Sequence, residues 1–217
     1  MLNVDAREQM IEQQVRAWDV LDAGVLALFR KVPRERFVPA GHRFLAFADA
    51  EVPLPHSQHM LRPSVVGRML QALELVSGDR VLQIGAGSGY ITACLATAVT
   101  HVQSIEILPD LAALARDNLA SVGVRNAQIA AADGFEPLDE RGRYTAIAVT
   151  GSMPVYQESF QRQLEIGGRL FVVVGSAPAM EARLIRRTAE ETWTTESLFE
   201  TVIDPLINAP QPPGFRF

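Results

Sequence analysis

The chain of 217 residues is 48% hydrophobic and 21% charged, which is ordinary for a globular protein and excludes a disordered, collagenous or coiled-coil chain. Its 20 Lys and Arg against 25 Asp and Glu give a net charge of −5, so it lacks the excess positive charge that broad binding to nucleic acid or anionic membranes needs. The single cysteine, Cys94, can form neither an intramolecular disulfide nor a thiolate metal cluster. With no signal-peptide pattern and no long apolar run, we expect a cytoplasmic protein that binds no metal, nucleic acid or membrane.

Residues 5–31 predict one or two amphipathic helices, because apolar residues recur there at three- and four-residue steps. A break is expected near residues 19–22, where acidic residues interrupt the pattern. Four aromatic residues in the first 44 residues are expected in the core: Trp18, Phe29, Phe37 and Phe44. The next segment, residues 37–63, is rich in proline and has no sustained period, which is typical of a long functional loop.

From residue 80 onward, short apolar runs alternate with helical patterns. This order predicts βαβ units and therefore an α/β fold with a Rossmann-like, doubly wound, mostly parallel sheet. A helix over about 155–164 and a turn at Gly167-Gly168 precede the strongly β-prone run RLFVVVG. An Ala/Arg/Glu-rich segment then leads to TWTTESLFETVID, whose composition predicts a C-terminal antiparallel strand.

A glycine-rich loop follows the apolar run VLQI. It consists of Gly85, Ala86, Gly87, Ser88 and Gly89. Glycines there allow backbone N–H groups to approach a ligand closely, but the next residue is Tyr90, where a dinucleotide fingerprint needs a small residue. Glu106 ends the next predicted strand, about 20 residues after the first glycine, the spacing that places a carboxylate beside ribose hydroxyls. Asp133-Gly134 ends the third strand at the same edge of the sheet. The pattern indicates an adenosine-bearing ligand without a pyrophosphate, and the alternative is a set of ordinary turn and cap residues.

The chain resembles the class I S-adenosylmethionine-dependent methyltransferases and, within them, the protein-L-isoaspartate O-methyltransferases. The resemblance covers nearly the whole chain and extends well beyond the glycine loop. The segments that carry it are REQMIEQQV near the amino terminus, VPRERFVP at 32–39, EVPLP at 51–55, VLQIGAGSGY at 81–90, SIE at 104–106, ADGF at 132–135, YTAIAVTGS at 144–152 and QLEIGGRLFVVVG at 163–175.

This resemblance implies S-adenosyl-L-methionine as the cofactor and isoaspartyl residues of peptides or proteins as the methyl acceptor. By position, the loop Gly85–Gly89 would line the methionine and ribose region, Glu106 would hold the ribose hydroxyls, and Asp133 with Gly134 would border the adenine. It also implies a single methyltransferase domain acting as a monomer. Within it we expect a helical part with a loop covering the active site in 1–77, a cofactor-binding core in 78–204 and an extended tail in 205–217.

Several residues depart from the family pattern, most of all in the covering loop. The family's usual loop is Gly-x-Gly-Gln-Thr-Ile-Ser-x-Pro, whereas residues 55–63 read PHSQHMLRP. His59 and Leu61 thus replace two hydroxyl residues, and Leu61 has no side-chain hydrogen-bond donor. In the core, Gln83 and Thr145 stand where the family has acidic residues.

These departures keep the acceptor open. His59 and Ser152 are our candidate donors to an acceptor carboxylate, and Asp49 is a candidate for positioning the covering loop. An amine or phenol acceptor would instead need deprotonation, for which His59 could act as a base. A methyltransferase with a different acceptor and a weakly catalytic cofactor-binding protein are therefore the alternatives.

Overall fold

The computed structural model describes residues 2–136 and 144–212, with six α-helices and nine strands in those ranges. The α-helices are α1 Leu2–Gln9, α2 Ala23–Lys31, α3 Pro63–Leu73, α4 Tyr90–Ala98, α5 Pro109–Ser121 and α6 Glu158–Arg162. The strands are β1 Val52–Pro53, β2 His59–Met60, β3 Arg80–Ile84, β4 His101–Glu106, β5 Ala127–Ala131, β6 Tyr144–Met153, β7 Leu164–Ser176, β8 Ala179–Ala189 and β9 Thr192–Glu200.

Seven of the strands form one sheet in the order β5-β4-β3-β6-β7-β8-β9. The first five are parallel, whereas β8 and β9 pair antiparallel. The predicted α/β fold with a mostly parallel sheet and a C-terminal antiparallel strand is confirmed, and the Ala/Arg/Glu-rich segment supplies a second antiparallel strand, β8. Because the chain order reverses on either side of β3, a crevice opens at the carboxyl ends of β3 and β6.

The N-terminal helices are interrupted near residues 19–22, where the sequence predicted a break. Helix α1 continues as a π-helix, Met10–Val15, and a 3-10 turn, Arg16–Trp18, before Asp19 adopts a left-handed conformation with φ 59°. Asp22 then caps α2 by accepting the backbone N–H of Val25 at 2.8 Å. Phe29 and Phe37 are in the core as expected, but Trp18 is 44% and Phe44 79% exposed. The expectation for those two aromatic residues was wrong.

The segment before β7 differs from the sequence prediction. The expected helix over 155–164 is reduced to α6, Glu158–Arg162, and β7 already begins at Leu164. The expected Gly167-Gly168 turn lies inside β7, where the register to β6 shifts between the pairs Tyr144↔Leu164 and Ala146↔Arg169. Gly167 has φ 84°, so the turn chemistry is present but serves an irregularity within a strand.

A buried ion pair joins the amino-terminal end of β3 to β7. Arg169 Nη1 donates to Asp79 Oδ1 at 2.8 Å and Nη2 to Oδ2 at 2.5 Å. Arg169 also donates to the carbonyls of Leu73 and Glu74 at the end of α3. Burial alone would raise the pKa of Asp79, but hydrogen bonds from Arg169 and neighbouring groups, with the Arg169 charge, lower that pKa below its usual value.

In the parts of the chain that the structure describes, no helix is both long and apolar enough to cross a bilayer.

Candidate active site

A cleft that is partly open to solvent lies at the carboxyl ends of β3, β4 and β6. Four parts of the chain form its walls: the glycine loop, the strand ends, the covering loop and the segment after β9. Its lining residues include Leu54, His59, Leu61, Ile84, Gly85, Gly87, Glu106, Asp133, Gly134, Phe135, Thr150, Asp204 and Leu206. Ligands of open α/β sheets bind at this position.

The glycine loop lies on the floor of the cleft, with its three glycines at positive φ. Gly85 has φ 90°, and a Cβ there would lie 2.6 Å from Thr150 Oγ1. Gly87 has φ 53° and approaches Leu54 of the covering loop, to which a Cβ would come within 3.4 Å. Gly89 caps α4 and packs on the backbone of Ala115 instead of lining the cleft. Two glycines thus open the floor to a ligand, while the third closes the turn.

The other two residues of the glycine loop are buried. Ala86 and Ser88 line a smaller inner pocket that continues from the cleft. The Ser88 carbonyl accepts a hydrogen bond from the side chain of Asn118 at 2.9 Å, which ties the loop to α5.

Gln83, which stands where the family has an acidic residue, supports the glycine loop with an uncharged side chain. Its fully buried side chain donates from Nε2 to the Gly85 carbonyl at 2.9 Å. Its Oε1 accepts from the hydroxyls of Thr92 at 2.7 Å and Ser104 at 3.3 Å. Gln83 therefore connects the glycine loop to Thr92 and Ser104 through an uncharged side chain.

Glu106 ends β4 with its carboxylate buried at the cleft wall. Oε2 accepts the backbone N–H of Gly87 at 2.8 Å, and Oε1 accepts that of Leu108 at 3.1 Å. Both bonds fix the carboxylate beside the glycine loop, where each oxygen retains capacity for a further donor.

Asp133 and Gly134 form the wall next to β5. Asp133 Oδ1 accepts the backbone N–H of Phe135 at 2.9 Å, and Oδ2 accepts Asn208 Nδ2 at 2.8 Å. A Cβ on Gly134 would lie 2.6 Å from Ile84 Cγ2. Glycine at position 134 therefore allows the chain to pass directly over the end of β3.

The covering loop is a short hairpin, in which β1 pairs with β2 and the Leu54 N–H donates to the Gln58 carbonyl at 2.7 Å. His56 and Ser57 at its tip have φ 60° and 56°. Ser57 therefore keeps a conformation that favours glycine, at a position where the family pattern has glycine. The covering loop thus forms a hairpin although its residues depart from the family pattern.

His59 lies in the cleft wall at the end of this hairpin and is paired with Asp204. His59 Nδ1 is 2.8 Å from Asp204 Oδ2, and the two side chains are 32% and 33% exposed. With Nδ1–H donated to the carboxylate, Nε2 is the ring nitrogen left for a ligand. His56 pairs with the exposed Asp110 instead and does not line the cleft.

The other two candidate residues are not brought to the cleft. Ser152 is completely buried, and its hydroxyl donates to the Ile203 carbonyl at 3.2 Å. Asp49 accepts both the N–H and the hydroxyl of Ser64 at 2.8 Å each, at the beginning of α3. Ser152 therefore links β6 to the segment after β9, while Asp49 anchors the helix that follows the covering loop.

Three residues that we did not predict contribute to this region: Arg34, Thr150 and Asp204. Thr150 Oγ1 lies within hydrogen-bonding distance of the carbonyls of Ile84 and Gly85, at 2.8 and 2.6 Å. Asp204 reaches the cleft because residues 203–206 pair with Ser152. Only the position of Thr150, at the carboxyl end of an apolar run, was a usable signal in the sequence. Within residues 2–136 and 144–212, no group of three or more His, Cys, Asp or Glu side chains could hold a metal ion.

Comparison with known proteins decides the family. The family model for protein-L-isoaspartate(D-aspartate) O-methyltransferase matches residues 5–209. The chain belongs to this family. A protein-L-isoaspartate O-methyltransferase from Pelobacter propionicus is 40% identical over 204 residues, which cover 94% of this chain and 91% of that one. Another from Rhodopseudomonas palustris is 40% identical, covering 97% of this chain and 89% of that one.

Solved structures agree on the fold of this family member. A Plasmodium falciparum structure, described as a protein-L-isoaspartate O-methyltransferase in complex with S-adenosyl-L-homocysteine, has a TM-score of 0.79 at 19% identity, covering 92% of this chain and 97% of that one. A second protein-L-isoaspartate O-methyltransferase structure also has a TM-score of 0.79, at 22% identity, covering 92% of this chain and 65% of that one. The predicted assignment to an S-adenosylmethionine-dependent methyltransferase family is confirmed.

Proposed function

We propose that this protein transfers a methyl group from S-adenosyl-L-methionine to the free side-chain carboxylate of isoaspartyl residues in peptides or proteins. The observation that carries the proposal is the family match over residues 5–209. The cleft between the glycine loop and the covering loop supports it, because both walls come from segments that carry the family pattern. We further propose that it acts as a monomer in the cytoplasm, since all four walls come from one chain and its single cysteine fits a reducing compartment.

The residues of the cleft fit the cofactor. Gly85 and Gly87 leave its floor free of side chains, the Glu106 carboxylate would accept from ribose hydroxyls, and Asp133 would border the adenine as a candidate acceptor. When bound, S-adenosylmethionine supplies an electrophilic methyl group on a sulfonium centre. Gly134 and Ile84 shape the adjoining wall.

The acceptor needs orientation and a donor more than it needs a base. A carboxylate with a reference pKa of about 4 is already ionised at pH 7, so no proton has to be removed before it attacks the methyl group. Closing the cleft strips that carboxylate of water, and a hydrogen-bond donor must offset the loss. Leu61 offers none from its side chain, so we propose that His59, with both ring nitrogens protonated, donates from Nε2 to the acceptor while its Nδ1–H donates to Asp204.

Ser152 and Asp49 do not contact the acceptor in this proposal. Ser152 joins β6 to the segment that carries Asp204, and Asp49 holds the beginning of α3. Both are positioning residues for the covering side of the cleft.

The test is a methyl-transfer assay with labelled S-adenosylmethionine on paired peptides that differ only in isoaspartate against aspartate. We expect transfer to the isoaspartyl peptide alone. His59→Ala should lower kcat/KM about tenfold or more, the loss expected for one hydrogen bond to a charged group. His56→Ala is the matched control, since His56 pairs with Asp110 outside the cleft. The double change His59→Thr with Leu61→Ser should raise the rate by restoring two hydroxyl donors.

The same pair of residues favours a second candidate function. A histidine held through Nδ1 by a carboxylate can accept a proton at Nε2, which an amine or phenol acceptor would require. No transfer to isoaspartyl peptides by either the wild type or the double variant, with cofactor binding intact, would reject the isoaspartyl acceptor. Methyl transfer to amine or phenol acceptors that is lost in His59→Ala would then support the second candidate.

A further inference from the structure

Arg34 is a buried cation at the inner end of the cleft. It begins the 3-10 turn Arg34–Arg36 in the VPRERFVP segment, and its side chain is only 1% exposed. Nη2 donates to the Leu61 carbonyl at 3.1 Å, and the guanidinium carbon lies 4.9 Å from the centre of the Tyr90 ring. The side chain thus lies between the covering loop and the start of α4.

Two of its donor groups have no acceptor. Nε and Nη1 are both fully buried and lack a hydrogen-bond partner among the residues that the structure describes. Asp49 is the carboxylate whose charge acts on Arg34, and both of its oxygens already accept from Ser64. Burial lowers the pKa of Arg34 from its ordinary value, because the cation is desolvated without an ion-pair partner.

The residues around Arg34 indicate which kind of group could accept hydrogen bonds from its Nε and Nη1. Arg34 lines the inner pocket together with the glycine loop, His59 and Leu61, and this pocket shares Leu54 and Gly87 with the main cleft. Met60, Val66 and Ile91 add apolar side chains to its wall, which Tyr90 and Thr150 complete. An unpaired guanidinium in an apolar pocket is best satisfied by an anion that enters with a ligand, and arginine matches carboxylates well.

We propose that Arg34 binds a carboxylate group of a bound ligand at this inner end of the cleft. Two ligands could supply that group: the amino-acid end of the cofactor, or the acceptor. The first source is independent of the acceptor, whereas the second rests on the proposed function. In both cases the Nε and Nη1 hydrogens gain an acceptor, while the bond from Nη2 to the Leu61 carbonyl continues to hold the covering loop.

Calorimetric titration distinguishes the sources. S-adenosylhomocysteine and 5′-methylthioadenosine share the adenosine and the thioether, but only the first has the carboxylate. If the cofactor supplies the carboxylate, Arg34→Met should weaken S-adenosylhomocysteine binding about 10- to 100-fold and leave methylthioadenosine binding unchanged. If the acceptor supplies it, both affinities should stay unchanged, and the affinity of the S-adenosylhomocysteine complex for an isoaspartyl peptide should fall about tenfold or more.

Arg36→Met is the control, because Arg36 is the exposed arginine of the same 3-10 turn. Should Arg34→Met fail to fold, Arg34→Gln removes the cation while keeping a donor for the Leu61 carbonyl, and it carries the same comparison. Equal weakening of both nucleosides would overturn the proposal and leave Arg34 as a support of the covering loop alone. Unchanged affinity for all three ligands would overturn it as well. A carboxylate-dependent loss in a protein that does not methylate isoaspartyl peptides would reject the proposed acceptor but not this inference.

Discussion

Replacing Glu106 by glutamine separates its role in ligand binding from its role in the fold. Both carboxylate oxygens accept buried backbone N–H groups, from Gly87 at 2.8 Å and Leu108 at 3.1 Å. Glutamine has one oxygen and one NH₂ group in nearly the same volume, so one of the two N–H groups must then face a donor. Leaving a buried donor unsatisfied costs about 1–3 kcal/mol, and we expect the free energy of unfolding to fall by that amount.

The same change should weaken ligand binding separately. A ribose hydroxyl that donates to the charged carboxylate contributes about 1.5–3 kcal/mol, which corresponds to roughly a 10- to 100-fold increase in the Kd for S-adenosylhomocysteine. Urea unfolding without ligand measures the first effect, and calorimetry on the folded variant measures the second. Glu196→Gln, on the exposed part of β9, removes one negative charge away from the cleft and should change neither.

The two measurements can refute the two roles independently. An unchanged Kd in a folded Glu106→Gln variant would show that the carboxylate holds no part of the cofactor. An unchanged free energy of unfolding would show that the bonds from Gly87 and Leu108 contribute nothing to stability.

Three further predictions concern Asp79, Cys94 and Gly134. Asp79→Asn should lower the free energy of unfolding by about 3–5 kcal/mol at pH 7, because Arg169 would remain buried without its counter-charge. Since the pKa of Asp79 is lower in the folded than in the unfolded protein, its contribution to the free energy of unfolding is present above about pH 4 and is lost as the pH falls further. If urea denaturation shows that the stability difference between the wild type and Asp79→Asn does not shrink in acid, this prediction is wrong. Burial raises the pKa of Cys94 to about 12, so the thiol should resist alkylation at pH 8 in native protein and react after unfolding, and rapid native labelling followed by mass spectrometry would disprove it. Gly134→Ala should destabilise the protein by about 1–3 kcal/mol in thermal or urea unfolding, because its Cβ would lie 2.6 Å from Ile84 Cγ2, whereas Gly78→Ala, whose Cβ meets nothing within 4 Å, is the control.

Much of the cofactor side of the cleft could be predicted from local sequence patterns. Gly85, Glu106 and Asp133 each follow an apolar run that forms a parallel strand, and parallel strands end at the same edge of a sheet. Their meeting in one cleft depends only on strand direction and order, which the alternation of strand and helix patterns already indicates. The same local rules predicted the break near residues 19–22.

Local rules failed for the segment before β7, where the same apolar residues fit either a helix or a strand. The apolar residues after position 155 predicted a longer helix, but β7 begins at Leu164 because it pairs with Tyr144 of β6. Pairing between distant strands overrode local helix propensity there. Trp18 and Phe44 were expected in the core for their residue type alone, and only packing decides which aromatic side chains stay exposed.

What the sequence determined by itself is the fold class, the family and the edge of the sheet where the cofactor residues lie. The tertiary structure alone decided how the acceptor side is arranged. Whether the Ser152 hydroxyl faces the cleft or the Ile203 carbonyl depends on the pairing of β6 with a segment about fifty residues later, and the partnership of His59 with Asp204 spans still more of the chain. The unpartnered donors of Arg34 likewise result from the packing of the covering loop on α4. Such contacts form only when distant segments come together, so the local spacing of residues does not predict them.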